Sequence, residues 1–205
     1  MIILIDYGMG NLGSILNMLK KVGAQAKVSS DVQEIADAEK LILPGVGAFD
    51  TGMQRLAELG LIDVLNEKVL QRKTPTLGVC LGMQLLMKCS AEGSLPGLGW
   101  IDGETIHFQF DPRETHLKIP HMGWNTVTIQ NPGTLFKDLG PDARFYFVHS
   151  FHVVCNNPQD VVALTHHGYD FASAVQRDNI MGVQFHPEKS HKFGMKIYKN
   201  FVELN

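Results

Sequence analysis

The chain has 205 residues, 44% hydrophobic and 19% charged, and its 18 basic and 21 acidic residues leave a net charge of −3. That composition reads as soluble and globular, and a chain this long buries roughly 70% of its unfolded surface, so it needs no disulfide framework or structural metal to fold. It excludes a nucleic-acid binder, which would show a basic excess, and a membrane span, which would need an apolar run of ~20 residues.

The opening apolar run has no basic lead and is cut short by Asp6, so it is no signal peptide. The cysteines Cys80, Cys89 and Cys155 are an odd number without framework spacing, which fits free thiols in a cytoplasmic protein. No repeat, low-complexity tract or linker interrupts the chain, so residues 1–205 read as one domain.

Residues 2–6 form a continuous apolar run, which predicts a strand buried on both faces. Leu12, Ile15, Leu16, Leu19 and Val22 fall at helical spacing and predict a helix over 12–22. Strands follow at 26–29 and 41–43, the latter ended by Pro44-Gly45. One or two helices, broken near Gly60, occupy 50–69. A fourth strand at 76–79 runs into a helix over 82–88. The second half differs. Strand-like stretches at 100–101, 104–108, 125–129, 144–148, 161–165, 172–176 and 181–184 are divided by turn residues, and a helix over 193–204 closes the chain. The pattern predicts an α/β domain. Its mostly parallel sheet carries helices on both faces and added antiparallel strands, and ligands gather at the carboxyl ends of the parallel strands.

Gly8-Met9-Gly10-Asn11-Leu12-Gly13 spells a dinucleotide-binding fingerprint between a strand and a helix, and Asp31 sits near the distance of a ribose-binding acid. The plainer reading is a tight glycine turn. Tyr7 and Met9 place bulky groups among the glycines, which speaks against a pyrophosphate cradle.

Gly78-Val79-Cys80-Leu81-Gly82 is a nucleophile elbow with cysteine in place of serine. Glycines two before and two after leave room for a sharp turn that holds the middle residue strained and exposed. The following helix points free N–H groups at Cys80, and the Leu81 amide could donate to an oxyanion. Cys89 and Cys155 lack such flanks and read as buried structural cysteines.

A thiol nucleophile needs a base, and the base an orienting acid. Of nine histidines, His186 is distinguished by its setting, Gly182-Val183-Gln184-Phe185-His186-Pro187-Glu188, just past an apolar strand and two residues from a carboxylate. His166-His167 and the pair His149/His152 lack a cysteine or carboxylate at ligand spacing, so no metal is expected, and no cofactor.

Together these segments resemble class I glutamine amidotransferases, which use a Cys-His-Glu triad. The match narrows to the glutaminase subunits of imidazole glycerol phosphate synthases. It is carried by Asp6-Tyr7-Gly8-Met9-Gly10-Asn11, Leu43-Pro44-Gly45-Val46-Gly47-Ala48-Phe49, Gly78-Val79-Cys80-Leu81-Gly82-Met83-Gln84, Pro120-His121-Met122-Gly123-Trp124-Asn125, Tyr146-Phe147-Val148-His149-Ser150, and the segment from Gly182 to Ser190.

The resemblance implies a flavodoxin-like fold and a triad of Cys80, His186 and Glu188. It implies an oxyanion hole from Leu81, Val46 and Gly47, with the loop poorly arranged until the synthase partner binds its own substrate. It places Gln84 and Glu92 near the charged end of glutamine, with Gly45, Gly47, Ser150 and Phe151 supplying backbone. By themselves Gln84 reads as a helix-surface amide, Glu92 as a solvated acid and Phe151 as core.

Asn11, Trp124, Tyr146 and Lys189 correspond to interface positions facing a (β/α)₈-barrel cyclase subunit, the implied heterodimer partner, which takes the ammonia. After Ser190 the chain continues His191-Lys192-Phe193, where histidine-pathway members more often carry small residues. Similar subunits feed ammonia to ATP-dependent sugar amidotransferases of surface-polysaccharide synthesis, so that partner stays open. So do an inactive scaffold and a cysteine peptidase or deglycase on the same fold.

Overall fold

The computed structural model describes residues 1–111, 113, 117–131 and 134–204. The first half comprises β1 (Ile2–Ile5), α1 (Leu12–Lys21), β2 (Ala26–Ser29), α2 (Val32–Ala36), β3 (Lys40–Leu43), α3 (Phe49–Glu58), α4 (Leu61–Asn66), β4 (Thr76–Val79) and α5 (Leu81–Leu85). Then come β5 (Cys89–Ser90), β6 (Gly103–His107), β7 (His121–Thr126), β8 (Thr128–Ile129), β9 (Arg144–His149) and β10 (Phe151–Cys155). The chain closes with β11 (Val161–His167), β12 (Tyr169–Arg177), β13 (Ile180–Val183) and α6 (His191–Val202).

The main sheet runs β2-β1-β3-β4-β13-β12-β10-β6-β5, with β11 and β8 added beside β12. From β2 to β13 every pairing is parallel, and from β12 onward the strands are added antiparallel except for the short edge strand β5, which lies parallel to β6. The parallel core therefore has the architecture the strand–helix alternation predicts. Its inner strands β1, β3, β4 and β13 are buried on both faces, while β2 forms a partly exposed edge. Ile2, Leu4, Leu77 and Val79 pack on one side with Ile15 and Leu19 of α1 and Ile197 and Phe201 of α6. Ile3, Ile5, Leu41 and Leu43 pack on the other with Met53 and Leu56 of α3 and Leu61 and Leu65 of α4. Each such side chain contributes about 1.5–3 kcal/mol when removed from water.

The departures have physical causes. The break near Gly60 is a left-handed residue (φ +66°) starting α4, which a π-helical turn at Glu67–Gln71 prolongs. Asp31 is the N-cap of the short α2, its carboxylate accepting from the Glu34 N–H at 2.9 Å, so it serves a helix end and not a ribose. The helix expected over 82–88 stops at Leu85, because the Lys88 N–H is captured by the Gly103 carbonyl and Cys89–Ser90 join the sheet edge. Trp100 and Ile101 are buried anchors and not a strand, with the indole N–H of Trp100 donating to Asn66 at 2.7 Å. The stretch 125–129 splits in two. Asn125 and Thr126 end β7, which pairs only with β9 as a separate ribbon, while β8 joins β11. Cys89 is exposed and Cys155 half-buried, against the expectation that both are buried. His166 does meet a carboxylate, Asp170, at 2.7 Å across the β11–β12 turn.

Candidate active site

The carboxyl ends of β3, β4 and β13 lie side by side, and each delivers one part of a site. β3 runs into the Pro44–Gly47 loop, β4 into Cys80, and β13 toward His186. At the elbow, Cys80 has φ +54° and ψ −111°, a conformation that costs a non-glycine residue of order 1–3 kcal/mol. Its N–H is held by the Val183 carbonyl at 2.8 Å. The flanking glycines are required by packing. A Cβ at Gly82 would lie 1.9 Å from the Leu43 carbonyl oxygen, and one at Gly78 would lie 2.7 Å from that of Gly82.

His186 is held by a backbone bond from its N–H to the Tyr146 carbonyl at 2.9 Å, and its Nδ1 lies 2.8 Å from Glu188 Oε1. Both side chains are 2% exposed. Nε2 is buried without a hydrogen-bond partner in the protein, and its ring lines a cavity together with Cys80. Burial alone would lower the imidazole pKa, but Cys80 and Glu188 beside it together push it up to about 10. A charged imidazole between a thiol and a carboxylate is the arrangement for passing a proton to a leaving group.

The cavity measures about 320 Å³ and is lined by Val46, Gly47, Cys80, Leu81, Gln84, Glu92, Val148, His149, Ser150, Phe151 and His186. That is the small end of the range for small-molecule sites, roughly 300–1,000 Å³. Of the residues singled out in the sequence, the structure gathers most here. Gln84 is buried and not a helix-surface amide, its amide donating to the Phe151 carbonyl and to Gln184, each at 3.1 Å. Glu92 is exposed to the cavity and accepts from the Phe49 N–H at 2.8 Å, which ties it to the start of α3 just beyond the loop. Gly45 lies beneath the lining, where a Cβ would meet the Tyr7 hydroxyl at 2.7 Å and Leu81 Cβ at 2.8 Å.

Trp124, Tyr146 and Lys189 form a surface cluster. Trp124 meets Tyr146 edge-on at 6.4 Å, and the Lys189 ammonium lies 5.6 Å from the Tyr146 ring centre. Trp124 is 44% exposed and is stacked by His191 at 5.4 Å, beside Arg144, Lys192 and Phe193. Asn11 is exposed and caps α1 through its side-chain oxygen.

Two residues of the site escaped the sequence reading. The Tyr7 hydroxyl donates to the Pro44 carbonyl and so anchors the loop from below, and burial drives its pKa far up, keeping it a donor. Gln184, wholly buried, accepts from Gln84 and extends its amide to within 3.7 Å of Cys80 Sγ. Tyr7 stood in a glycine turn and Gln184 in a strand, and only their being polar in buried segments could have flagged them. The Gly8–Gly13 turn is no phosphate cradle: a Cβ at Gly10 would touch Pro44 at 3.0 Å, so the turn packs against the loop. Among the described residues no group of three His, Cys, Asp or Glu is placed to hold a metal ion, and no helix is long and apolar enough to cross a membrane.

Fold and elbow define a class, and the chain belongs to the class I glutamine amidotransferase family, whose sequence model matches residues 3–204. It is 54% identical over 204 residues to the imidazole glycerol phosphate synthase subunit HisH 2 of Pseudomonas aeruginosa, covering 100% of both chains. It is likewise 54% identical over 203 residues to the subunit of the same name from Methanococcus maripaludis, covering 99% of each. Among solved structures, a chain of PurLQS from Thermotoga maritima superposes with a TM-score of 0.72 at 19% identity, over 98% of this chain and 96% of that one, a likeness of fold.

Proposed function

We propose that this chain hydrolyses glutamine with Cys80, His186 and Glu188 and passes the ammonia to a cyclase subunit, which forms imidazole glycerol phosphate and aminoimidazole carboxamide ribotide in histidine biosynthesis. The observation that carries it is the strained thiol elbow beside a buried His186–Glu188 pair, on adjacent strands and over one amino-acid-sized cavity. Family membership and full-length similarity to two HisH subunits support the same reading.

In this mechanism the Cys80 sulfur attacks the side-chain amide carbon of glutamine. The oxyanion of the tetrahedral intermediate accepts from the Leu81 amide and from the Val46–Gly47 segment. His186, held charged, gives its proton to the departing nitrogen, and ammonia leaves behind a glutamyl thioester. Water then attacks the thioester while His186 takes up one of its protons. Glutamate departs and Cys80 and the charged His186 are restored, so the sum is glutamine plus water to glutamate plus ammonia. Glu188 holds the imidazole orientation and stabilises its charge.

Ammonia released to neutral water is mostly protonated and no longer nucleophilic, so a docked acceptor enzyme is needed. Trp124, Tyr146 and Lys189 are the surface on which it docks, with Asn11 at the N-cap of α1, and the chain acts there as one domain.

One observation favours a second acceptor. His191, at a position where the resemblance leads one to expect a small residue, stacks flat on Trp124 of that surface. The alternative is the same glutaminase chemistry serving an ATP-dependent sugar amidotransferase. Glutamate release is measured with the organism's barrel cyclase and its ribotide, or with a sugar-amidating synthetase. Activation by the first supports the histidine pathway. Activation by the second alone moves the partner, and silence with both sinks the glutaminase reading.

A further inference from the structure

The β7–β9 ribbon has two unlike faces. Met122 and Trp124 point outward, 62% and 44% exposed, while His121 is buried and Asn125 half-buried on the inner side. On the inner side the polar atoms form a chain that runs in one direction. His149 Nδ1 lies 2.8 Å from the Phe151 carbonyl oxygen, which can only accept, so that nitrogen carries a proton. His149 Nε2 in the neutral ring is then an acceptor, and His121 Nδ1, 3.0 Å away, donates to it. This leaves His121 Nε2 to accept from the Asn125 amide at 3.1 Å. The amide's orientation is fixed independently, because Asn125 Oδ1 accepts from the Thr126 N–H at 2.8 Å and Nδ2 also donates to the His166 carbonyl at 2.9 Å.

Both rings are held neutral. Burial pushes His121 down to about 4 and His149 to about 3, and His167 stacks over His121 at 4.3 Å. The chain ends at the Phe151 carbonyl, where Gln84 also donates, and Gln84 leads through Gln184 to within 3.7 Å of the Cys80 sulfur. Ser150, Phe151 and His149 line the cavity itself. Histidines packed only to fill this space need no common direction and no terminus in a site. Here every ring nitrogen of the two residues is assigned, and the last donor grips the cavity wall.

We propose that His121 and His149 are positioning residues that hold the Ser150–Phe151 wall of the glutamine cavity from the back of the partner-facing ribbon. The proposal rests on the glutamine reading of that cavity. It makes glutamine affinity sensitive to a residue, His121, that touches neither substrate nor nucleophile.

The test has two arms. In the full-length protein at pH 7, nitrogen-15 imidazole spectra give the tautomers directly. Both rings are expected neutral with the proton on Nδ1, and an Nε2–H tautomer or a charged ring at either position overturns the relay. In the partner-activated enzyme, His121→Leu is expected to raise the KM for glutamine about 10-fold while kcat stays within about threefold. His121→Asn, which keeps a donor near the Nδ1 position, should restore most of the KM. Equal losses in both variants, an unchanged KM, or a fall in kcat alone reduces His121 to a core residue. Should the enzyme release no glutamate under any condition, it is the glutamine reading that fails, and the tautomers still decide the relay.

Discussion

At the scale of single residues the site divides into groups with a motif and groups without one. Cys80 and His186 were legible because their neighbours are constrained: the two elbow glycines admit no Cβ, and Pro187 and Glu188 shape the turn after β13. Tyr7, Gln184 and the histidine chain were not, because their partners lie 37, 100 and 28 residues away and are met only in the folded chain.

The imidazole of His186 gives the sharpest expectation. Its folded pKa stands above that of the unfolded chain, so its charged form contributes stability that is complete below about pH 6.5 and lost as pH rises through about 10. Glu188→Gln removes one of the two groups that sustain that charge. It should move the alkaline limit of kcat/KM downward and lower kcat by about 10²–10⁴-fold, by comparison with other orienting acids. A profile superimposable on wild type would contradict the assigned role. Tyr7→Phe leaves the Pro44 carbonyl without its buried donor. About 10-fold in kcat should go, with about 1–3 kcal/mol of stability, as read from steady-state rates and urea unfolding.

At the scale of elements, β1, β3 and β4 were readable because each is four residues long, buried and mainly apolar, between glycine, proline or polar breaks. The second half was harder. The strand β10 carries His152 and was passed over, and β7 includes Gly123 with φ +127°, which reads as a turn. What the sequence could not display is how closely the elements meet. The α6 helix lies against the turn that bears Glu188, since a Cβ at Gly194 would stand 1.8 Å from the Pro187 carbonyl oxygen. Gly194→Ala must therefore push helix and turn apart, at about 1–3 kcal/mol, and should depress glutamate release as well as the unfolding midpoint. Gly52→Ala in α3 is the control. There the nearest atoms are the flexible ends of Leu85 at 3.2 and 3.3 Å, and helix propensity offsets the contact. Equal stability for the two variants would mean that α6 does not set the turn.

At the scale of the whole molecule, the parallel core places its loops at one end and the antiparallel strands wrap the site with a ribbon whose outer face carries Trp124. As the exposed aromatic centre of the proposed docking surface, Trp124→Ala should weaken partner binding by about 2 kcal/mol, some 30-fold in Kd, measured by calorimetry. The buried histidines behind it make the fold acid-sensitive. His121 and His149 have folded pKa values below the unfolded one, so the unfolded chain binds more protons between about pH 4 and 6.5, and stability falls as pH drops through that window. Each contributes up to about 1.4 kcal/mol per pH unit there, which urea titrations at pH 7 and 5 would reveal.

If Cys80 is the nucleophile for a glutamine side chain, covalent capture will mark it. The partner-activated protein is treated with a diazoketone analogue of glutamine and the labelled peptides are sequenced by mass spectrometry. A single adduct is expected on Cys80, blocked by excess glutamine and slowed in His186→Asn, with the exposed Cys89 unmodified. Label on Cys89 or Cys155, or an adduct on Cys80 that glutamine fails to block, would contradict it.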